Sequence, residues 1–207
     1  MTRVKICGVN DPVAFDTVVA EGADWLGFVF FPPSPRAITP AQAAALSARA
    51  EGGPARVGLF VDPSDGDVAA VLAVVKLDVL QVHAPPHRVA ELRVCFGLPV
   101  WRAVGVATAA DLPDVSGHAD ALLIEAKPPK NATRPGGNAV QFDWSLLVGW
   151  QAPCPWLLAG GLTADNVAEA IRVSGAPAVD VSSGVESAPG VKDPDRIRAF
   201  IRAGRAA

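Results

Sequence analysis

About eight times along this chain, a short apolar run is followed by a segment with helical periodicity. That alternation constrains the fold more than any other feature. Strands are expected at 4–6, 25–30, 57–61, 79–83, 100–104, 121–125, 156–158 and 178–181. Helical segments are expected at 12–21, 40–50, 67–75, 86–96, 107–112, 143–147, 166–173 and 194–203. Thr39 is placed to cap the second of these helices, and Thr163 or Asp165 the seventh. Strict alternation implies a parallel sheet with helices outside it. Eight such units predict an α/β fold, a single (β/α)₈ TIM barrel spanning 1–207, near the lower size limit of that fold. A doubly wound open sheet is the structural alternative, but no Gly-x-Gly-x-x-Gly follows the first strand. No linker or shift in composition divides the chain.

Half of the residues are hydrophobic and 19% are charged, a globular balance. The 18 basic and 21 acidic residues are mixed along the chain, with no basic block to suit nucleic acid or an acidic membrane. A phosphate-bearing small molecule stays open as a ligand, because backbone amides bind phosphate without net positive charge. Cys7, Cys95 and Cys154 are odd in number and widely spaced, which suits a reducing compartment rather than a disulfide framework. The opening MTRVKICG lacks the apolar core of a signal peptide and no run is long enough to span a membrane, so a cytoplasmic location is expected. His83 and His87 have a His-x₃-His spacing, but Pro85 and Pro86 intervene, so no metal is expected there.

Side chains alternate across a strand, and the face under the helices should be apolar. In the first strand Val4 and Ile6 then point outward and Lys5 and Cys7 inward. In the fourth, Gln81 and His83 point inward; in the sixth, Leu123 and Glu125; in the eighth, Asp180 and Ser182. Polar groups therefore gather at the C-terminal ends of at least four strands, where active sites of such barrels lie. Cys95 and Cys154 read as packing residues, and His83 as a wall residue rather than a catalyst. Asp180 is as well placed to hold Lys5 as to touch a ligand.

Two glycine-rich turns follow the seventh and eighth strands: LLAGGLTADN at 157–166 and VDVSSGVES at 179–187. Gly160 and Gly161 let backbone amides approach a ligand, and Ser182, Ser183 and Gly184 add hydroxyls and amides. Adjacent loops after strands seven and eight are the usual phosphate site of a TIM barrel.

The stretches VKICGVN, GFVFFPPSPRAITP, VGLFVD, LDVLQVHA, FDWSLL, LLAGGLTADNVAEAI and VDVSSGVESAPGVKD, in this order from Val4 to Asp193, resemble the phosphoribosylanthranilate isomerase family. The resemblance implies a cofactor-free Amadori rearrangement of N-(5-phosphoribosyl)anthranilate to 1-(2-carboxyphenylamino)-1-deoxyribulose 5-phosphate. It implies that Cys7 is the general base and that Arg36, in the PPSPR stretch, contacts the anthranilate carboxylate. The AGG and SSG loops would hold phosphate through Gly160, Gly161, Ser182, Ser183 and Gly184. Lys5, Gln81, His83 and Asp180 complete the expected substrate-binding set. The only partner implied is the small phosphosugar, with the protein a monomer or homodimer.

At the general acid the family usually has an aspartate, and LLIEAKPPK places Glu125 there. The extra methylene matters, since a displacement of ~1 Å can change a rate on the order of a hundredfold. A non-catalytic or weakly active phosphosugar-binding paralogue is therefore the alternative reading. A related sugar-phosphate isomerase of histidine biosynthesis is a weaker one, because that family typically uses two aspartates. Lys5, two residues from Cys7 on the same face, is expected to favour the thiolate. Ala84 in QVHA and the PGGN loop at 135–138 differ from the commoner family forms without touching the chemistry.

Overall fold

A computed structural model describes residues 1–127 and 141–207. The PGGN loop at 135–138 lies outside the described residues. The chain runs β1 (Arg3–Cys7), α1 (Pro12–Ala20), β2 (Trp25–Val29), α2 (Pro40–Ser47), β3 (Ala55–Val61), α3 (Asp65–Leu72), β4 (Val79–His83) and α4 (Pro86–Phe96). It continues through β5 (Val100–Val106), β6 (Ala121–Ala126), β7 (Trp156–Leu158), α5 (Val167–Ser174) and β8 (Ala178–Val181). A small hairpin of β9 (Glu186–Ala188) and β10 (Val191–Lys192) precedes the last helix, α6 (Pro194–Ala206). Strands β1 to β8 close into a parallel barrel in sequence order, with β8 pairing back onto β1. The expected TIM barrel is the fold, and the open sheet is excluded.

The inside–outside alternation holds. Val4, Ile6, Leu80, Val82, Leu122, Ile124, Val179 and Val181 join the large core between sheet and helices. A second cluster of Val57, Val79, Trp101, Ala121, Leu157 and Ala178 fills the barrel interior at the strand entrances, with Trp25 packed against it. Trp25 and Trp101 meet edge to face there, at a centroid separation of 5.2 Å. The lower barrel is thus a packed plug, and only its upper, C-terminal end is left for polar groups.

Three aspartates pin the strand entrances. Asp24, Asp78 and Asp120 each precede an even-numbered strand and accept a hydrogen bond from the backbone of the strand before it. The donors are Val4 N (2.8 Å), Arg56 N (2.7 Å) and Val100 N (2.9 Å). Each contact satisfies a strand-end N–H and fixes the register of a strand pair.

The helix starts follow local chemistry. Thr39 forms the expected cap on α2, with Gln42 completing a reciprocal capping box. The expectation at α5 needs correction: its N-cap is Asn166, and neither Thr163 nor Asp165 takes that position. The Asn166 amide instead folds back on the turn, accepting from Thr163 N and donating to Gly161 O. The segments expected to be helical at 107–112 and 143–147 are single 3-10 turns, Ala109–Asp111 and Trp144–Leu147. The β9–β10 hairpin is unanticipated, because strands of three and two residues carry no readable alternation.

Candidate active site

At the C-terminal end of the barrel is an open-mouthed cavity. Cys7 reaches it from β1, Gln81 and His83 from β4, Glu125 from β6, and Asp180 and Ser182 from β8 and its end. Arg36 reaches it from the loop after β2. Seven of the residues singled out from the sequence therefore converge on one wall system. Lys5 is beneath the floor: it is fully buried and donates to Asp180 Oδ1 at 2.7 Å. Asp180 thus holds Lys5 while it also lines the cavity.

Cys7 and Lys5 share the space beside Gly27 on β2. A Cβ added there would lie 3.0 Å from Cys7 Sγ and 3.2 Å from Lys5 Nζ. The missing side chain on β2 therefore makes room for the thiol and ammonium together. Burial works against the Lys5 charge, but the Asp180 carboxylate and the Cys7 thiol outweigh it and raise its pKa. At Cys7, burial pushes the thiol up; Lys5 and Lys192 pull it down and Asp180 opposes them. Lys5 acts in the expected direction, favouring the thiolate, but burial outweighs it and the net direction is upward.

Glu125 is 7% exposed at the end of β6. Burial, reinforced by the nearby Asp180 charge and eased by Lys5, pushes its pKa up to about 8. It is therefore protonated at neutral pH. His83 Nδ1 lies 3.6 Å from Glu125 Oε1. Burial and the Lys5 charge push His83 down to about 4. The contact joins two uncharged groups at neutral pH, and it is too long for a direct hydrogen bond. Among the described residues Gln81 Oε1 is buried with no hydrogen-bond partner. It lies on the cavity wall, within reach of a donor that enters the cavity.

The two glycine-rich turns abut beside the cavity. A Cβ on Gly184 would lie 1.8 Å from Leu162 O, so only glycine fits between them. Gly160 and Gly161 have φ of 86° and 66°, a left-handed pair that turns the chain immediately after β7. Ser182 Oγ donates to Cys7 O at 3.1 Å, tying the second turn to the end of β1. Of the residues expected to hold phosphate, Ser182 lines the cavity, and Gly160, Gly161, Ser183 and Gly184 are not among its lining residues.

Arg36 is buried and paired. Its Nε donates to Glu186 Oε1 at 2.6 Å and its Nη2 to Glu186 Oε2 at 2.9 Å. Lys192 Nζ donates to the same carboxylate at 2.8 Å and to Ser182 O at 2.9 Å. Glu186 and Lys192 were not among the residues singled out from the sequence. Their motif was, but the ion pair depends on a turn that brings positions six apart together over the end of the barrel.

The profile of the N-(5'phosphoribosyl)anthranilate (PRA) isomerase family matches residues 4–203. The N-(5'-phosphoribosyl)anthranilate isomerase of Paramagnetospirillum magneticum is 58% identical over 208 residues, covering 98% of this chain and 97% of that one. The structure of mutually generated monomers of the dimeric enzyme from Thermotoga maritima is similar, with a TM-score of 0.84, 34% identity and full coverage of both chains. A phosphoribosyl anthranilate isomerase solved with reduced 1-(o-carboxyphenylamino)-1-deoxyribulose 5-phosphate matches with a TM-score of 0.83, 33% identity and full coverage of both chains. Barrel, cavity and these similarities converge: the chain belongs to the phosphoribosylanthranilate isomerase family.

Proposed function

We propose that the chain isomerises N-(5'-phosphoribosyl)anthranilate to 1-(2-carboxyphenylamino)-1-deoxyribulose 5-phosphate, an aldose–ketose rearrangement in tryptophan biosynthesis. The observation that carries the mechanism is the pairing of a protonated Glu125 with Cys7 on walls separated by β7 and β8. Glu125 donates its proton to the furanose ring oxygen, and the C1′–O bond breaks to leave a Schiff base. The Cys7 thiolate removes the proton from C2′, giving an enolamine. Protonation at C1′ and loss of the 2′-hydroxyl proton yield the ketone, so atoms and charge balance. Glu125 fills the position the family usually gives to aspartate, and its place on the cavity wall favours the catalytic reading over a non-catalytic paralogue.

Arg36 binds the anthranilate carboxylate in this reading, and Gln81 and His83 face the sugar. Asp180, held from beneath by Lys5, supplies charge at the cavity wall between the two reacting groups. The phosphate is held by Gly160, Gly161, Ser182, Ser183 and Gly184, whose turns present amides and hydroxyls. The chain acts as one domain over 1–207. The free thiols Cys7, Cys95 and Cys154 suit the reducing cytoplasm. The test is turnover of freshly generated phosphoribosylanthranilate by the purified protein. Loss of substrate with formation of the aminoketose is expected; phosphate-dependent binding without turnover would favour the paralogue.

A further inference from the structure

The β9–β10 hairpin places one carboxylate, Glu186, between Arg36 and Lys192. Glu186 is 6% exposed, and both of its oxygens are fully engaged. Oε1 accepts from Arg36 Nε and Lys192 Nζ, and Oε2 accepts from Arg36 Nη2 and, at 3.2 Å, from Gly190 N. A buried carboxylate with every acceptor site filled by charged or backbone donors is a fixed structural point. Removing one partner of such a pair leaves an uncompensated charge, so the group is held in place strongly.

The geometry around it is equally tight. A Cβ on Gly8 would lie 2.7 Å from Arg36 Cδ, so the arginine stem lies across the residue that follows Cys7. A Cβ on Gly190 would lie 2.3 Å from Pro35 O, so the hairpin turn presses on the loop that carries Arg36. Asn10 Nδ2 donates to Gly190 O at 3.0 Å, closing the same turn onto the loop after β1. On the other side Lys192 Nζ grips Ser182 O, and Ser182 Oγ holds Cys7 O. A continuous polar chain therefore runs from Arg36 through Glu186 and Lys192 to Ser182.

We propose that Glu186 is the positioning residue for Arg36: its bidentate grip, backed by Lys192 and the hairpin, aims the guanidinium at the substrate's ring carboxylate. Glu186 touches no reacting atom and acts only through Arg36. This rests on the reading that Arg36 recognises that carboxylate. The role is distinct from simple stabilisation, because it demands that Glu186 lose its effect once Arg36 is gone or the carboxylate is absent.

The test is a double-mutant cycle of Glu186→Gln with Arg36→Met, using two substrates: phosphoribosylanthranilate and its aniline counterpart, which lacks the ring carboxylate. Glu186→Gln should lower kcat/KM on the anthranilate substrate by roughly 10–100-fold, mostly through KM. In the Arg36→Met background, or on the aniline substrate, the further loss should be about twofold or less. Glu186→Asp keeps the charge and shortens the reach. It should show an intermediate loss of the same selectivity, and it carries the cycle if the Gln variant does not fold. Affinity for the reduced ketose phosphate and its des-carboxy counterpart, measured by calorimetry on the same proteins, reads the coupling independently of turnover. A wild type that binds but does not turn over counts against the isomerase reading alone. Additive losses in the cycle, or equal losses on both ligands, would overturn the positioning role.

Discussion

At the scale of single residues, the proposed mechanism rests on protonation states that burial sets at the cavity wall. The Glu125 carboxyl is pushed up to about 8 and the Cys7 thiol above its ordinary 9.0. The competent form, thiolate with neutral carboxyl, is then a minority whose fraction grows until Glu125 titrates. The ratio kcat/KM should rise through neutrality with an apparent pKa near 8, level off, and fall at higher pH as Cys7 ionises. A profile already falling between pH 6 and 7 contradicts this assignment. Stability carries the same signature. The native state keeps a proton on Glu125 that the unfolded chain sheds from about 4.5 upward, so stability declines as pH rises toward about 8. Glu125→Gln stays neutral throughout. It should melt higher than wild type at pH 8, by a difference on the order of a few kcal/mol, and the gap should close near pH 4. Equal melting curves at both values count against the buried, protonated carboxyl. Cys7 and Glu125 were legible in the sequence because each follows an outward apolar residue at a strand end. The net rise of the Cys7 pKa was not, since burial outweighing Lys5 is a property of the closed barrel.

At the scale of elements, turns do what strands cannot. The loops after β7 and β8 interlock through Gly184 against Leu162 O, with no space for a Cβ. Gly184→Ala must push the two turns apart and withdraw amides from the phosphate. It should raise KM for the phosphosugar at least about tenfold, with kcat reduced less. A variant with unchanged KM removes these loops from the phosphate site. The strands themselves were readable to within a residue or two, because each is a short, largely apolar run set between helical segments. The β9–β10 hairpin escaped because five residues of strand carry no period, and its purpose lies in Glu186 and Lys192, ion-paired through folding. The aspartates before β2, β4 and β6 were visible as letters, yet their hydrogen bonds to the preceding strands depend on barrel register. The cap of α5 was missed for a related reason: Asn166 braces the glycine turn instead of a free helix end.

At the scale of the whole molecule, β8 pairing onto β1 makes every strand depend on its neighbours. The lower half of the barrel is a packed apolar plug, and the upper half holds the charges, with Lys5 and Asp180 at the boundary. If the chain is one domain, heat should unfold it in a single transition with matching calorimetric and van't Hoff enthalpies. Two separated transitions would divide the barrel. The eightfold rhythm made this architecture legible; closure was inferred from the count of units, whereas the placement of Cys7 and Glu125 on one cavity needed coordinates. The central claim is that Glu125, with its longer arm, supplies the proton that opens the ring. The most direct test is the rate on freshly generated phosphoribosylanthranilate for wild type, Glu125→Gln and Glu125→Asp, with folding verified by melting. The account predicts that Gln loses roughly 10²–10⁴-fold in kcat, while Asp keeps or exceeds the wild-type rate. A Gln variant as fast as wild type would contradict it.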